Sequence, residues 1–90
     1  MQAYGDRNGK LLMRRLGELR AADRLEDMRN MPGRCHELTG DLGGILSIDL
    51  VHPYRLLFKP EAPAPTKGDG GLDWRRVECV IICRVEDTHD

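Results

Sequence analysis

The strongest constraint on the fold comes from two alternating runs, Ile45-Leu46-Ser47-Ile48-Asp49-Leu50-Val51 and Tyr54-Arg55-Leu56-Leu57-Phe58-Lys59, joined by His52-Pro53. Both runs show the period of two that is typical of a half-buried β-strand. The face predicted to meet the core carries Leu46, Ile48, Leu50, Tyr54, Leu56 and Phe58. The opposite face carries Ser47, Asp49, Arg55, Leu57 and Lys59. Because a short connection with proline favours a tight turn, the runs predict two neighbouring strands of one sheet.

A helix is predicted over residues 7–22, before this pair of strands. Its apolar residues recur at spacings of three and four, as a single buried stripe requires. They are Leu12, Leu16 and Leu19. Arg14 and Arg15 are expected mostly on its other faces, in solvent or against an acidic partner segment. Gly17 weakens such a helix by about 1 kcal/mol relative to alanine without abolishing it.

A second, short helix is predicted to follow the first. Asp23 and Glu26 have the spacing of a capping box. The apolar side of the helix would come from Leu25 and Met28, and turn-forming residues are expected to end it. Those residues are Asn30, Pro32 and Gly33.

The rest of the chain supplies further strands and one long break. A short strand is predicted at residues 35–38, and a flexible loop rich in Pro and Gly at residues 61–73. Residues 77–85 are apolar on both faces, which favours a central strand. The order predicts an α+β fold in a single domain, residues 1–90. In this fold two N-terminal helices pack on one face of a small, mainly antiparallel sheet of three to four strands.

The charge is close to balanced, with 14 Lys and Arg against 15 Asp and Glu and a net charge of −1. Residues 1–34 carry +3 and residues 35–90 carry −4. A strongly basic nucleic-acid binder is therefore excluded, and any RNA contact must rest on a local cluster. No apolar run approaches the roughly 20 residues of a membrane span, and the start has no signal-peptide pattern. We therefore expect a cytoplasmic location and no membrane partner.

The chain has three cysteines, which is an odd number and too few for a disulfide scaffold. Cys79 and Cys83 fall within one predicted strand, where their α-carbons would be roughly 13 Å apart. That distance is too long for a disulfide or for a shared tetrahedral zinc. Buried, inert thiols are the preferred interpretation.

Histidine, arginine and acidic side chains are the candidates for catalysis. They are His36, Arg55, Arg84, Glu86, Asp87 and His89. Cutting RNA without a metal requires a base for the 2′-hydroxyl, a cation for the charge on phosphate and an acid for the departing 5′-oxygen. Histidine can serve in either proton transfer, and arginine offers a fork to phosphate oxygens. Neither a phosphate-binding glycine loop nor metal-ligand spacing is present, so no cofactor and no metal are expected.

Five ordered segments carry a family resemblance. They are Leu25-Glu26-Asp27-Met28-Arg29-Asn30-Met31-Pro32-Gly33, Cys35-His36-Glu37-Leu38-Thr39-Gly40-Asp41, Ser47-Ile48-Asp49-Leu50-Val51-His52-Pro53-Tyr54-Arg55-Leu56, Gly70-Gly71-Leu72-Asp73-Trp74 and Glu86-Asp87-Thr88-His89. Together they resemble the HigB-like plasmid killer branch of the RelE/ParE toxin superfamily, from about Tyr4 to the end of the chain. The resemblance implies a RelE-like fold. It also implies a type II toxin that cuts mRNA on the ribosome and is neutralised by a helix-turn-helix antitoxin.

The resemblance also implies roles for single residues. His36 falls on a catalytic-face histidine in a His-x-Leu-x-Gly-Asp motif, and Arg55 falls on an arginine thought to hold phosphate. Asp87 and His89 match the acid and the histidine of the family's C-terminal ending. His36 and His89 would transfer protons, and Asp87 would orient a histidine or the 2′-hydroxyl. Further RNA or phosphate contacts are expected at Thr39, Arg75, Arg76 and Arg84.

The chain departs from the family pattern at four places. Thr88 stands where some relatives have a tyrosine, and Thr39 stands where lysine is common. The turn at residues 42–44 lacks the basic residue usual there. Members of the family usually begin with a β-strand, and that first strand is expected to be missing here. The changes at Thr39 and at residues 42–44 remove phosphate contacts that relatives possess, and a threonine at position 88 cannot stack on a base.

Several interpretations stay open at this point. The chain could be a non-catalytic toxin-fold protein that only binds an antitoxin or another protein, or a homodimer that forms through an exposed sheet edge. Arg55 could simply pair with Asp49 or Glu37 across the strands. His52 is interpreted as turn chemistry. Trp74 is interpreted as a loop anchor rather than as an RNA-stacking residue.

Overall fold

The computed structural model describes residues 5–88, which form one α-helix and a four-stranded antiparallel sheet. The helix α1 is Gly5–Ala21, and the strands are β1 (His36–Glu37), β2 (Leu46–Asp49), β3 (Tyr54–Pro60) and β4 (Val80–Asp87). Three 3₁₀ segments lie at Leu25–Asn30, Gly40–Leu42 and Trp74–Arg76. The strands are ordered β1-β2-β3-β4 across the sheet. The predicted α+β class with a small antiparallel sheet is confirmed.

The first predicted helix is confirmed as α1, and its leucine stripe packs against the core of the domain. The buried side chain of Asn8 holds the start of α1 to the sheet, since its Oδ1 accepts a hydrogen bond from the Val51 N–H at 3.0 Å. Arg15 was expected on another face, and that prediction is wrong because the side chain is buried. Its guanidinium pairs with Glu18 at 2.9 Å, and its stem lies beside Gly33. A long arginine can bury its methylenes when its charge is compensated nearby.

The second predicted helix is a single 3₁₀ segment, Leu25–Asn30, whose two apolar side chains are buried as expected. The predicted capping pair is wrong. Asp27, rather than Glu26, accepts the backbone N–H groups of Asp23 and Arg24, at 3.0 and 3.2 Å. A 3₁₀ helix has three residues per turn, so the third residue after the N-cap returns over the start of the segment.

The register of the sheet confirms the predicted alternation of β2 and β3. Ser47 pairs with His36 on β1 and with Leu57 on β3, so these three residues share one face of the sheet. Arg55 pairs with Asp49 on β2 and therefore lies on the same face. The other face carries Leu46, Ile48, Leu50, Leu56 and Phe58 into the core.

The last strand, β4, lies at the edge of the sheet, so the prediction of a central strand is wrong. Among the described strands it pairs only with β3, and Ile81 and Ile82 are each 45% exposed. The register shifts between Leu57 and Phe58, which leaves Cys83 as an extra residue on β4. An apolar run shows that a strand has apolar faces. It does not show how many neighbouring strands are present.

The three cysteines differ in their surroundings. Cys79 and Cys83 are exposed, so the prediction of buried thiols is wrong for both of them. Cys83 lies in the edge strand β4 and Cys79 lies just before it. Within residues 5–88 no further strand pairs with this edge. Cys35 is partly buried, and this burial raises the pKa of its thiol to about 12. Only Cys35 matches the expectation of an inert thiol.

The long segment between β3 and β4 folds back on itself before it meets the core. Within residues 61–73 the Lys67 N–H donates to the carbonyl of Gly71 at 2.7 Å. The segment ends at Trp74, which is buried in the core and donates from its indole nitrogen to Glu37 at 2.8 Å. The interpretation of Trp74 as a loop anchor is confirmed.

Candidate functional site

A cavity of about 310 Å³ opens beside the turn that joins β2 and β3. Its polar lining comes from three strands and their connections: Arg34, His36, Ser47, Asp49, His52, Tyr54, Arg55 and Thr88. His36 and Arg55 are among them, although β1 and β3 do not pair with each other. The short strand β1 and the longer strand β3 both flank β2, which places two predicted catalytic residues at one cavity.

His36 is half-buried on β1, and its ring is oriented by the backbone that precedes the strand. Its Nδ1 lies 2.5 Å from the carbonyl oxygen of Arg34. Because a carbonyl only accepts hydrogen bonds, Nδ1 must carry the hydrogen. In the neutral ring Nε2 is then the nitrogen that can take a proton. This tautomer leaves Nε2 as the nitrogen that could act as a general base.

The guanidinium of Arg55 forms its ion pair with Glu86 rather than with Asp49 or Glu37, the two partners predicted from the sequence. Its Nε and Nη2 donate to Oε2 of Glu86, at 3.1 and 2.5 Å. Arg84 donates to the other oxygen of the same carboxylate at 3.0 Å. The hydrogen bond from Arg55, and after it the one from Arg84, holds the pKa of Glu86 below its usual range. The carboxylate thus occupies the donors that a phosphate would use.

A second arginine–carboxylate pair closes another side of the cavity. Nε of Arg34 lies 2.6 Å from Oδ2 of Asp49, and this hydrogen bond raises the pKa of the guanidinium further. Arg34 has a φ of 52°, in the left-handed region that side chains with a Cβ rarely adopt. It follows Gly33, whose φ is +104°. These two residues turn the chain so that Arg34 faces the cavity and its carbonyl meets His36.

The end of the chain approaches the same cavity at Thr88. Both its N–H and its Oγ1 donate to the carbonyl of Pro53, at 2.9 and 2.7 Å. Asp87 pairs with Tyr54, so it lies on the sheet face opposite to Arg55, and the described lining of the cavity does not include it. The bulge in β4 precedes this part of the strand and does not change its parity. His89 lies outside the described residues.

The other expected RNA contacts are spread over the molecule. Arg84 lies beside Arg55, on the face that carries their shared carboxylate. Arg75 lines a separate cavity of about 510 Å³. Arg76 pairs with Asp73 at 3.0 Å. Thr39 precedes the 3₁₀ segment Gly40–Leu42 without a side-chain capping bond, and it is not part of the first cavity's described lining.

Several polar lining residues are not among the functional residues predicted from the sequence, including Arg34, Ser47, Asp49, His52 and Tyr54. Strand parity could have indicated Ser47, because it places this residue on the face of Arg55. His52 was interpreted as turn chemistry, and it both lies in the turn and lines the cavity. No local signal points to Arg34, since its position depends on the backbone at Gly33.

Comparison of the chain with known protein families, with characterised proteins and with solved structures finds no match. Within residues 5–88, no three or more histidine, cysteine, aspartate or glutamate side chains are grouped as a metal ion would require. In the same residues no helix is both long enough and apolar enough to cross a membrane. The class established for the molecule is a small α+β domain with one helix on an antiparallel sheet.

Proposed function

We propose that this protein is a RelE-like toxin of the HigB-like branch and cuts mRNA on the ribosome without a metal. The observation that carries the proposal is the cavity beside the β2–β3 turn, which holds both His36 and Arg55. A histidine with an available Nε2 and a guanidinium on the lining of one cavity would provide the base and the cation for attack by a 2′-hydroxyl. A helix-turn-helix antitoxin is the proposed partner that neutralises the toxin.

The proposed reaction runs as an internal transfer of phosphate. Nε2 of His36 takes the proton of the 2′-hydroxyl, whose oxygen attacks the adjacent phosphorus. Arg55 stabilises the negative charge that builds on the phosphate oxygens. The bond from phosphorus to the 5′-oxygen breaks, and that oxygen receives a proton from an acid, which leaves a 2′,3′-cyclic phosphate. The family resemblance assigns the acid to His89, and His52 offers a second histidine in the lining.

The experiment is induced expression together with a cleavage assay on ribosomes programmed with a defined mRNA. We expect growth arrest and cleavage with the unchanged chain, and a loss of both with His36→Ala or Arg55→Ala. Removing a proton-transfer group should lower the rate by about 10²- to 10⁴-fold. Lys59→Ala is the matched control, because Lys59 is an exposed cation on the same strand outside the cavity lining. Normal growth despite abundant folded protein would contradict the proposal.

A non-catalytic binding protein with the same fold is the second candidate. It is favoured by the internal pairing of both cavity arginines, with Glu86 and with Asp49, and by the net charge of −1. Such a protein would bind an antitoxin-like partner without cutting RNA. The same cleavage assay separates the two candidates. Stable complex formation without cleavage would select the second.

A further inference from the structure

Ser47 presents a buried hydroxyl that has no hydrogen-bond partner within the described residues. The residue has no exposed surface and lies in the middle of β2. Its cross-strand neighbours, His36 and Leu57, share its face of the sheet, and Ser47 lines the cavity together with His36. The hydroxyl therefore lies on the cavity side of the sheet, away from the core.

An unpartnered hydroxyl is costly in the interior of a protein, because water no longer satisfies it. Alanine would fill nearly the same volume at this position without that cost. Most buried polar groups of proteins do have a partner, so an exception at a cavity wall indicates a ligand. By contrast, the guanidinium groups of Arg34 and Arg55 already donate hydrogen bonds to carboxylates of the protein. No group of the described residues accepts a hydrogen bond from the Ser47 hydroxyl, so a ligand would not have to displace one.

We propose that the hydroxyl of Ser47 donates a hydrogen bond to a phosphate oxygen of a nucleotide bound in this cavity. Because Ser47 has no exposed surface in the unliganded protein, side chains of the cavity lining must move aside for this contact to form. The ligand's phosphate would lie between the guanidinium groups of Arg34 and Arg55, where it competes with Asp49 and Glu86. This inference deepens the proposed function, because it names a substrate contact in the same cavity. Ser47 acts as a binding residue, and proton transfer stays with the histidines.

The test uses adenosine 3′-monophosphate as the probe and the full chain as the protein, with binding followed by NMR titration. Ser47→Ala should bind the probe about tenfold or more weakly, as expected for the loss of a hydrogen bond to a charged group. The unfolding midpoint of Ser47→Ala should be unchanged or higher, because the unsatisfied hydroxyl is gone. Thr66→Val is the matched control, since it removes an exposed hydroxyl outside the cavity lining.

Three results would overturn the inference. The first is equal affinity of the unchanged chain and Ser47→Ala, which would show that the hydroxyl does not contact the ligand. The second is the absence of binding by the unchanged chain up to millimolar probe. The third is equally tight binding of adenosine, which would remove phosphate from the contact. Cleavage on ribosomes is scored separately, so nucleotide binding through Ser47 without cleavage would contradict only the proposed function.

Discussion

Ion pairs formed by single residues determine which arginine donors in the cavity an anion can reach. Arg55 is held by Glu86, and both side chains are less than a quarter exposed. Arg84 supports the same carboxylate from its other oxygen. A partly buried carboxylate that accepts hydrogen bonds from two arginines stabilises the fold more than an exposed surface ion pair does. An exposed pair contributes about 0–1 kcal/mol. A phosphate that enters the cavity competes with Glu86 for the Nε and Nη2 donors of Arg55.

The Glu86 pair predicts a stability difference that depends on pH. The folded protein lowers the pKa of Glu86 below its usual 4.5, so the pair stabilises the fold above that pH and stops doing so as the pH falls through the lowered value. We expect Glu86→Gln to lower the free energy of unfolding by about 1 kcal/mol at pH 7. In urea titrations the difference should shrink below about pH 4.5 and vanish once Glu86 is protonated in the folded protein.

Glu78→Gln is the control for this comparison, because Glu78 is an exposed carboxylate just before β4. It should change the unfolding free energy little at any pH. A deficit of Glu86→Gln that is as large at pH 2 as at pH 7 would show that the ionised pair is not its source.

At the scale of elements, the approach of the chain to β2 depends on a glycine. Gly33 has a φ of +104°, and a Cβ placed there would lie 2.7 Å from Cγ2 of Ile48. Its carbonyl accepts a hydrogen bond from the N–H of Asp49 at 2.7 Å, so the backbone cannot move away freely. The segment before β1 is thereby held against β2, and Arg34 is placed at the cavity.

Two glycine substitutions should change stability in opposite directions. Gly33→Ala should lower the free energy of unfolding by about 2 kcal/mol, because it combines steric overlap with a backbone conformation unfavourable to alanine. Gly17→Ala should raise it by about 0.5–1 kcal/mol, because Gly17 lies within α1 with nothing close to a new Cβ. Urea denaturation of both variants measures the effect. Equal shifts of the same sign would contradict the local geometry described for Gly33.

The edge position of β4 predicts which thiols react in the folded protein. Cys79 and Cys83 are exposed, whereas burial raises the pKa of Cys35 to about 12. Since the thiolate is the reactive form, an aromatic disulfide reagent at pH 8 should modify two thiols rapidly and the third only after denaturation. Cys35→Ala should leave the rapid phase unchanged. A rapid phase of one thiol or none would contradict the exposed edge.

At the scale of the whole molecule, the sheet has one edge that is both long and apolar. Among the described strands β4 is the longest, and Ile81 and Ile82 are each 45% exposed. Unpaired backbone groups and apolar side chains on one strand favour pairing with another chain. We therefore propose β4 as the edge through which a homodimer would form.

Light scattering over a range of concentrations tests this placement. We expect concentration-dependent association of the unchanged chain and a shift to monomer in Ile82→Lys, since a charge at an edge opposes pairing. Met13→Lys is the control, because Met13 is a 68% exposed apolar residue on α1, away from the sheet edge. A single monomeric species at every concentration would exclude the homodimer.

Much of the fold could be predicted because its signals are local. The alternation of residues 45–59 correctly assigned the faces of β2 and β3, and the leucine spacing correctly indicated α1. These periods reflect the backbone geometry of a helix or a strand, so a stretch of a few residues is enough to show them. The coarse α+β class followed from the order of the elements.

Tertiary packing determined the features that no repeating pattern of residues in the sequence encodes. It placed β4 at the edge, buried Arg15 beside Gly33 and paired Arg55 with Glu86, a residue far along the chain. These features depend on which elements meet, and each depends on contacts between residues that no local pattern relates. The candidate site divides in the same way. Residue chemistry and family resemblance indicated His36 and Arg55, whereas only the assembled sheet brought them to one cavity with the buried hydroxyl of Ser47.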